Sequence, residues 1–358
     1  MVSAAKVVKR HCDFLLSPKT CASQSRMSDA SDLIITNHCK TASDFITALS
    51  PRGPSYSSAF PRGWIFRGHS DDTYRLVPSA LRNDSKELLE LTLGRISNNK
   101  EQYWAENRAL GDFLEVSDSI GLHVPEDTQK LRRSFELGIK PPTIWPPDEV
   151  LSLMALAQHH GVPTRLFDWS RHPLKAALFA AFDASEAKDK GRRLSVWALS
   201  IEKLEMIDSE NRPFTVITAP SATNSNLRAQ EGIFTLAKHI KPDDLSVDRT
   251  PFDEILRTWV ETKNVRSPGP WFHHVTLPQT EAEQLCFDLA LEGITRATLF
   301  PDFYGVVKAM KDAARWQRNN GPGAKRTKKH LDSFVISYEA TIDIRELQQK
   351  LRKPPASA

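Results

Sequence analysis

Three short segments of the chain combine arginine, histidine, carboxylate and aromatic residues at places where a hydrophobic core needs none. The first is Phe66-Arg67-Gly68, which ends an apolar run. The second covers residues 158–170 with the sequence QHHGVPTRLFDWS, and the third covers residues 226–234 with the sequence NLRAQEGIF. The guanidinium group of arginine is a planar set of donors that can bind a pyrophosphate through two hydrogen bonds. Arg67 is therefore a candidate ligand-binding residue; the alternative is a structural arginine that pairs with Asp168 or Glu231.

The second segment supplies imidazole and carboxylate groups that suit acid–base catalysis. His159 or His160 acting with Asp168 would make the protein a hydrolase or nuclease. His160 also has a structural interpretation, because a histidine at the C-terminal end of a helix interacts favourably with the helix dipole. Arg165 and Asp168 have one as well, since a salt bridge between them would brace the loop.

The third segment places Gln230, Glu231 and Gly232 in succession. If these residues lie on a strand, alternation puts Gln230 and Gly232 on one face and Glu231 on the other. A glycine here indicates a bulge or a close approach of backbone. Gln230 is a candidate site residue. Glu231 and Asp168 are both candidates for the catalytic carboxylate, and the sequence does not decide between them.

Several standard catalytic and metal-binding motifs are absent from the sequence. It contains no G-x-G-x-x-G, no G-x-x-x-x-G-K-[ST], no G-x-S-x-G and no H-E-x-x-H pattern. The adjacent pairs His159-His160 and His273-His274 point to different sides of their elements and make no ready metal site. The four cysteines lack C-x-x-C spacing. We therefore expect no metal cofactor.

Composition is that of an ordinary folded protein and bounds the function only loosely. The 358 residues are 40% hydrophobic and 26% charged, with a net charge of +4. No apolar run approaches the about 18 residues of a membrane span. Few cysteines in a chain of this length favour a reducing compartment. The expected location is therefore the cytoplasm, without a membrane partner.

The two ends of the chain differ from its middle. Residues 1–40 are poorly patterned and predict a disordered leader. Residues 303–330 hold eight Lys or Arg and one acidic residue, Asp312. Such a block can contact nucleic-acid phosphates, although a solvated helix face followed by a loop explains it equally.

Hydrophobic periodicity predicts helices and strands in blocks. Helices are predicted at residues 43–49, 148–160, 173–185, 280–291, 302–316 and 344–351, and residues 85–115 carry helical periodicity with many charges. Strands are predicted at residues 64–66, 194–201, 214–219, 232–236, 272–277, 298–300 and 334–338. Residues 164–170 read as a tight connection between two helices. This order favours an α+β fold with a mainly antiparallel or mixed sheet.

The three segments resemble the FRG domain, a family named for its Phe-Arg-Gly motif. The resemblance covers about residues 40–305 and includes Pro78-Ser79-Ala80-Leu81-Arg82 and Leu299-Phe300-Pro301-Asp302. The family is similar at fold level to ADP-ribosyltransferases. The resemblance implies a mixed or antiparallel sheet core with an inserted helical layer, formed by residues 41–305. Residues 306–358 would add a basic helix, a loop and a closing strand and helix on the same domain.

The resemblance also implies a site and a reaction. In ADP-ribosyltransferases the first core strand ends in aromatic-Arg-Gly and its arginine contacts NAD, a later strand gives a Ser or Thr, and a third gives the catalytic glutamate. The implied NAD-binding residues are Arg67, Gly68, Thr164, Arg165, Trp169 and Arg228. The implied catalytic residues are Gln230, Glu231, His160 and Asp168. The sequence departs from the Glu-x-Glu or Gln-x-Glu pattern, because Gly232 occupies the place of the second residue.

An NAD substrate is therefore expected, with transfer of ADP-ribose or hydrolysis of NAD. A carboxylate near the ribose would stabilise the oxocarbenium character of the transition state. The acceptor would be a protein or a nucleic acid, and a toxin or anti-phage defence effector would suit such activity. Two alternatives stay open: a non-catalytic module that binds a nucleotide or nucleic acid, and the histidine-dependent hydrolase or nuclease.

Overall fold

A computed structural model describes residues 33–50, 56, 63–82, 86–91, 95–136, 142–218, 225–238, 245–265 and 269–319. Most of the predicted leader lies outside these residues, as do the basic loop after residue 319, the last predicted strand at 334–338 and the last predicted helix at 344–351. Among the described helices, none is long and apolar enough to cross a membrane.

Seven strands within the described residues form one mixed sheet, which confirms the α+β prediction. The strands are β1 (Ile34–His38), β2 (Trp64–His69), β3 (Phe167–Ser170), β4 (Arg193–Ser200), β5 (Thr215–Ile217), β6 (Gly232–Leu236) and β7 (Phe272–Pro278). Their order across the sheet is β1-β7-β4-β2-β3-β6-β5. β1 pairs with β7 in parallel, and the other neighbouring strands pair antiparallel.

Helices fill the connections, and a group of them lies between β2 and β3 in the chain. The helices of the described part are α1 (Ala42–Ala48), α2 (Lys86–Leu91), α3 (Asn99–Ser119), α4 (Gln129–Arg133), α5 (Leu151–His159), α6 (Pro173–Glu186), α7 (Ile201–Glu205), α8 (Ser225–Ala229), α9 (Phe252–Lys263), α10 (Ala282–Leu291), α11 (Arg296–Leu299) and α12 (Phe303–Asn319). The segment α2–α5 separates the first two strands that line the functional cleft described below.

Local signals set the ends of the helices that matter for the site. Gly161 follows α5 with a φ of 95°, a left-handed conformation that favours glycine, and ends that helix as predicted. α6 begins with Pro173, and the side chain of His172 accepts a hydrogen bond from the backbone N–H of Leu174. Proline suits this first position because its missing N–H would have no partner there.

The structure corrects four of the element predictions. Residues 167–170 form strand β3 rather than a tight connection, because Phe167 and Trp169 are buried while the backbone pairs with β6. The predicted strand at 298–300 is mostly helix α11, which the Thr295 side chain caps. Ile34–His38 form β1, although the predicted leader included them. The amphipathic helix α9 was not predicted at all.

The hydrophobic core lies on both faces of the sheet. On one face, α1, α6 and α10 pack against β2, β4 and β7. On the other face, α7 and α9 cover β2, β3, β4 and β7. A third cluster joins α3 and α5 to β6. The helix α6 approaches β2 so closely that a Cβ atom on Gly68 would lie 2.0 Å from the backbone oxygen of Ala176. Gly68 is therefore required by helix packing, because any larger residue would push α6 away.

His274 makes stability depend on pH. It lies on β7, its ring stacks on Trp197 at a centroid distance of 4.1 Å, and its Nε2 is buried without a hydrogen-bond partner among the described residues. Burial, and then the charge of His38, lowers the pKa of His274 to about 4. The unfolded chain therefore binds a proton at this residue from about pH 6.5 downward while the folded chain does not, so stability falls as the pH drops through this window.

We expect the substitution His274→Phe to reduce the loss of stability on acidification. The aromatic ring preserves the stack on Trp197 and removes the titrating group. Between pH 6.5 and 5 the difference amounts to about 2 kcal/mol in the free energy of unfolding. Urea denaturation at pH 8, 6.5 and 5 measures it, with the exposed His123→Gln as the control variant. An unchanged pH dependence in His274→Phe would contradict the assignment.

Candidate functional site

A cleft of about 1560 Å³ opens where β2 and β3 diverge. These strands pair at Phe66 and Ser170, next to the end of β2 that carries Arg67. The floor of the cleft consists of the last residues of β2, residues of β3 and the start of β6. The walls come from α5, α6, α8 and two segments, residues 74–82 and 249–254. The cleft therefore brings parts of all three sequence segments together.

Arg67 is held in a fixed orientation on the floor of the cleft. Its Nη1 donates to the backbone oxygen of Asp168 at 2.7 Å and forms an ion pair with the carboxylate of Asp168 at 2.7 Å. Its Nε donates to Nε2 of His69 at 3.0 Å, and the ring of Phe167 lies 4.2 Å from the guanidinium carbon. The Nη2 of Arg67 donates no hydrogen bond to any of the described residues. The guanidinium thus has its plane set by the protein and keeps donor capacity for a ligand.

His69 contributes to this orientation only as a neutral imidazole. Burial lowers its pKa well below the usual value, and the positive charges of Arg67 and Arg82 lower it further. At neutral pH its Nε2 is therefore an acceptor, which is what the Nε–H of Arg67 requires. The charges of Arg67 and Arg82 thus both contribute to the lowered pKa of His69.

Asp168 lies in the cleft, as predicted, with 57% of its side chain exposed. Besides Arg67, its carboxylate accepts a hydrogen bond from Nε2 of Gln158 at 2.9 Å. The amide oxygen of Gln158 accepts in turn from the hydroxyl of Thr164. These bonds make Arg67 a structural partner of Asp168, which was one of the two interpretations of that arginine. They leave it as a candidate ligand-binding residue as well, because Asp168 occupies only one of its terminal nitrogens.

His159 and His160 line the cleft from the end of α5. His160 is exposed, and its ring stacks loosely on Phe113 at 6.5 Å. Burial lowers the pKa of His159, with His160 acting in the same direction and Asp302 against it. The described hydrogen bonds of Asp168 go to Arg67 and Gln158. The joint action of a histidine with Asp168 stays a prediction, since all three side chains line the same cleft.

Ser170 and Gln230 meet on the floor of the cleft, beside Arg67. The hydroxyl of Ser170 donates to the backbone oxygen of Gln230 at 2.7 Å. Gln230 is half-buried, and its Nε2 donates to the backbone oxygen of Leu299 at 3.2 Å. Phe66, Ser170 and Gly232 are aligned across β2, β3 and β6, which places these side chains at the same end of three adjacent strands. Gln230 is therefore in the predicted site, whereas the role of Ser170 was not predicted.

Two predicted residues of the third segment lie outside the cleft. Glu231 is in the turn before β6, with a φ of 49°, and its exposed carboxylate pairs with Lys175 at 2.9 Å. The alternation argument does not apply to it, because strand geometry begins only at Gly232. Arg228 is exposed in the last turn of α8 and does not line the cleft. Both corrections have the same cause: residues 225–231 are a helix and a turn.

Thr164 and Arg165, which were predicted to contact the ligand, do not line the cleft, because both side chains are buried beneath its wall. Arg165 donates from Nε to the carboxylate of Glu106 at 2.6 Å, in an ion pair whose side chains are 7% and 1% exposed. The hydroxyl of Thr164 donates to the amide oxygen of Gln158, and its backbone N–H donates to the hydroxyl of Ser79. The predicted salt bridge between Arg165 and Asp168 is therefore replaced by two bridges, each to another segment.

Trp169 and Gly68 line the cleft, but both are packed against the protein interior. Trp169 is 3% exposed, its indole N–H donates to the hydroxyl of Thr235 at 2.8 Å, and its ring packs against Phe167. This burial leaves it no open face on which a base or nicotinamide could stack. Gly68 lines the cleft, but the backbone of α6 occupies the space beside its Cα.

Several charged residues of the cleft were not predicted from the sequence. The arginines Arg75, Arg82 and Arg249 line it, as do the carboxylates of Asp183 and Glu254. Arg82 belongs to the segment 78–82 of the resemblance, but no role was predicted for it. The others come from segments without a recognisable motif, and only the fold brings them to the cleft. Among the described residues, no group of three His, Cys, Asp or Glu side chains could hold a metal ion.

The chain matches one protein-family model, that of the FRG domain, over residues 62–190. The matched range contains Arg67, Gln158, Asp168 and Ser170, and ends before Gln230 and Arg249. No curated protein matches the chain. No solved structure matches it either.

Among the charged residues beneath the cleft wall, we expect the buried Glu106 to be the one whose substitution lowers stability most. Its carboxylate accepts from Arg165, from the indole of Trp145 at 3.0 Å and from Gln102 at 2.7 Å. We expect Glu106→Ala to lower the free energy of unfolding by about 3–5 kcal/mol, because it leaves the Arg165 cation buried and unpaired. Urea denaturation measures the loss, and the double variant Glu106→Met/Arg165→Met is the control. If the single variant is as stable as the double variant, the ion pair does not brace the wall.

Proposed function

Because the chain is an FRG domain-containing protein, we propose that its cleft binds NAD and breaks the bond between nicotinamide and ribose, with transfer of ADP-ribose to an acceptor or to water. The proposal combines the resemblance to ADP-ribosyltransferases with the side chains that the fold brings into the cleft. It makes NAD a substrate rather than a resident cofactor.

One observation carries the proposal. Arg67 on β2, Ser170 on β3 and Gln230 in the turn before β6 line the cleft together, and Ser170 bonds to the backbone of Gln230. In ADP-ribosyltransferases an arginine, a hydroxyl residue and a catalytic residue come from three strands; in this chain the first two come from strands and Gln230 directly precedes the third. The hydroxyl position falls on Ser170 instead of Thr164, whose side chain is buried against Gln158.

The proposed reaction uses each group by its chemistry. Arg67 binds the diphosphate through donors that its bonds to His69 and Asp168 leave unused. The C–N bond to nicotinamide breaks with the electron pair staying on nicotinamide, so positive charge develops on the ribose. The carboxylate of Asp168 stabilises this charge. The acceptor or a water molecule then forms the new bond to the ribose carbon and loses its proton to solvent.

The first test is the release of free nicotinamide from NAD by the purified chain. We expect Arg67→Ala to lower the release about 100-fold, since charge-assisted hydrogen bonds to a diphosphate are each worth about 1.5–3 kcal/mol. Arg67→Lys should lose most of this activity as well, because a lysine keeps the charge but not the planar set of donors. The matched control is Arg108→Ala, an exposed arginine of α3 that pairs with Asp112.

Near-UV circular dichroism separates a loss of function from a loss of fold. A folded Arg67→Ala variant that releases nicotinamide at the wild-type rate would exclude Arg67 from the reaction. An unfolded variant, with Arg67→Lys folded and fully active, would mean that this arginine is purely structural.

A second candidate function is a non-catalytic nucleotide-binding module. The observation that favours it is Gly232 at the second place of the pattern, where the resemblance puts the catalytic glutamate, while Gln230 at the first place is a neutral amide and the nearby Glu231 pairs with Lys175 outside the cleft. Such a protein would bind NAD or another nucleotide through the same arginine without consuming it.

The substitution Gln230→Glu distinguishes the two functions. We expect it to raise nicotinamide release at least about tenfold, because a second carboxylate near the ribose stabilises charge that a neutral amide cannot. Glu231→Gln is the matched control and should leave the rate unchanged. Calorimetry of NAD binding accompanies both measurements. A wild-type chain that binds NAD without turnover, together with an active Gln230→Glu variant, would establish the binding module.

A further inference from the structure

One arm of the cleft carries cationic and aromatic side chains that the proposed reaction at Arg67 does not use. We call it the basic arm; it consists of Tyr74, Arg75, Arg82 and Arg249. Its residues come from the segments 74–82 and 249–254, which form one wall of the cleft. In the described part of this arm, Glu254 is the carboxylate that lines the cleft, and it is held by Arg75 at 2.5 Å.

Arg249 has donor capacity that the protein does not satisfy. Its Nε is buried and has no hydrogen-bond partner among the described residues. Its Nη1 reaches the backbone oxygen of Val247 only at 3.5 Å. A buried donor without a partner is unfavourable because it has lost its hydrogen bonds to water, and more so when it is charged. An anionic ligand in the cleft would satisfy this guanidinium.

Arg82 connects the basic arm to the site at Arg67. Its Nε donates to the backbone oxygen of Val77 at 3.1 Å, which anchors the side chain at the cleft wall. Its charge and that of Arg67 both act on the buried His69. Both arginines line the same cleft.

Tyr74 supplies an aromatic surface in the same arm. It is 55% exposed, and its ring is held edge-on to His69 at 6.1 Å. An exposed aromatic ring beside arginines is the combination with which proteins bind single-stranded nucleic acid, since a base stacks on the ring while its phosphate contacts the cations.

The size of the cleft leaves room for a second ligand. Pockets for a single small ligand measure about 300–1,000 Å³. The cleft measures about 1560 Å³, so a dinucleotide at Arg67 does not fill it.

We propose that the basic arm binds the acceptor of the reaction and that this acceptor is a nucleotide, either free or at the end of a single nucleic-acid strand. Its base stacks on Tyr74, and its phosphate is bound by Arg82 and Arg249. The acceptor role rests on the proposed function, whereas the binding of the nucleotide does not. In the transfer, an oxygen or nitrogen of the acceptor forms a bond to the ribose carbon of NAD, nicotinamide leaves with the electron pair of the broken bond, and the acceptor's proton passes to solvent.

The binding experiment uses a fluorescently labelled, 5′-phosphorylated oligothymidylate strand with the full chain, at 50 and 200 mM salt. Thymidine monophosphate and inorganic phosphate serve as competitors. We expect Arg249→Met to weaken strand binding about tenfold or more and to reduce its salt dependence. Tyr74→Ala should weaken it by a similar factor through the loss of stacking. The controls are Arg108→Met, an exposed arginine outside the cleft, and Arg249→Lys, which keeps the charge and tests the fold.

The outcomes separate this proposal from the proposed function. NAD binding that survives in Arg249→Met and Tyr74→Ala while strand binding is lost would support a distinct nucleotide site. Loss of NAD binding in Arg67→Ala with strand binding intact would support it from the other side. Competition by thymidine monophosphate as strong as that of the strand would identify a free nucleotide as the ligand.

Strand binding that is unchanged in Arg249→Met and in Tyr74→Ala would overturn the proposal. Binding of inorganic phosphate that depends on Arg249, with no effect of Tyr74→Ala on any nucleotide, would overturn the nucleotide assignment. If Arg249→Met does not fold, the comparison of Arg249→Lys with Tyr74→Ala decides the same question.

Discussion

The bridge from Arg67 to Asp168 is the interaction on which the cleft depends. β2 and β3 are neighbours in the sheet but pair at one position, Phe66 with Ser170. Beyond that pair the strands separate, and the side chain of Arg67 crosses the gap to both the backbone and the carboxylate of Asp168. The same ion pair therefore joins two parts of the sheet and orients a guanidinium in the space between them. One side chain can make all of these bonds because the guanidinium is a planar group with five donors.

The surrounding scaffold fixes the two ends of this bridge. On the β2 side, Gly68 lets α6 contact the strand without an intervening side chain. On the β3 side, the hydrogen bonds from Thr164 to Gln158 and from Gln158 to Asp168 connect the carboxylate to the end of α5. Beneath them, the buried pair of Arg165 and Glu106 attaches the same segment to α3. A short stretch of chain thus supplies side chains to the core and to the cleft in turn.

The electrostatics of the cleft follow from an excess of arginine over free carboxylate. Arg67, Arg75, Arg82 and Arg249 line it, and two of the carboxylates that line it, Asp168 and Glu254, are engaged by Arg67 and Arg75. His69 remains neutral among these charges because it is buried. A concave surface of this kind attracts phosphate groups and holds them through directed donors. In the same cleft, the hydroxyl of Ser170 bonds to the backbone of Gln230, whose side-chain amide is held by Leu299.

Features that depend on neighbours in the chain could be predicted from the sequence. The α+β class, the ends of α5 and α6 and the strands β4 and β7 follow from periodicity and capping residues. The motifs also singled out Arg67, Asp168 and Gln230, which line one cleft in the structure. Which side chains of one segment face that cleft depends on the tertiary structure. Buried side chains bond to residues on other elements: Thr164 to Gln158, Arg165 to Glu106 and Trp169 to Thr235. The side chains of Asp168 and Ser170 line the cleft. Arg249 and Tyr74 line it as well. Burial and ion pairing depend on contacts between residues far apart in the chain, which no local pattern records.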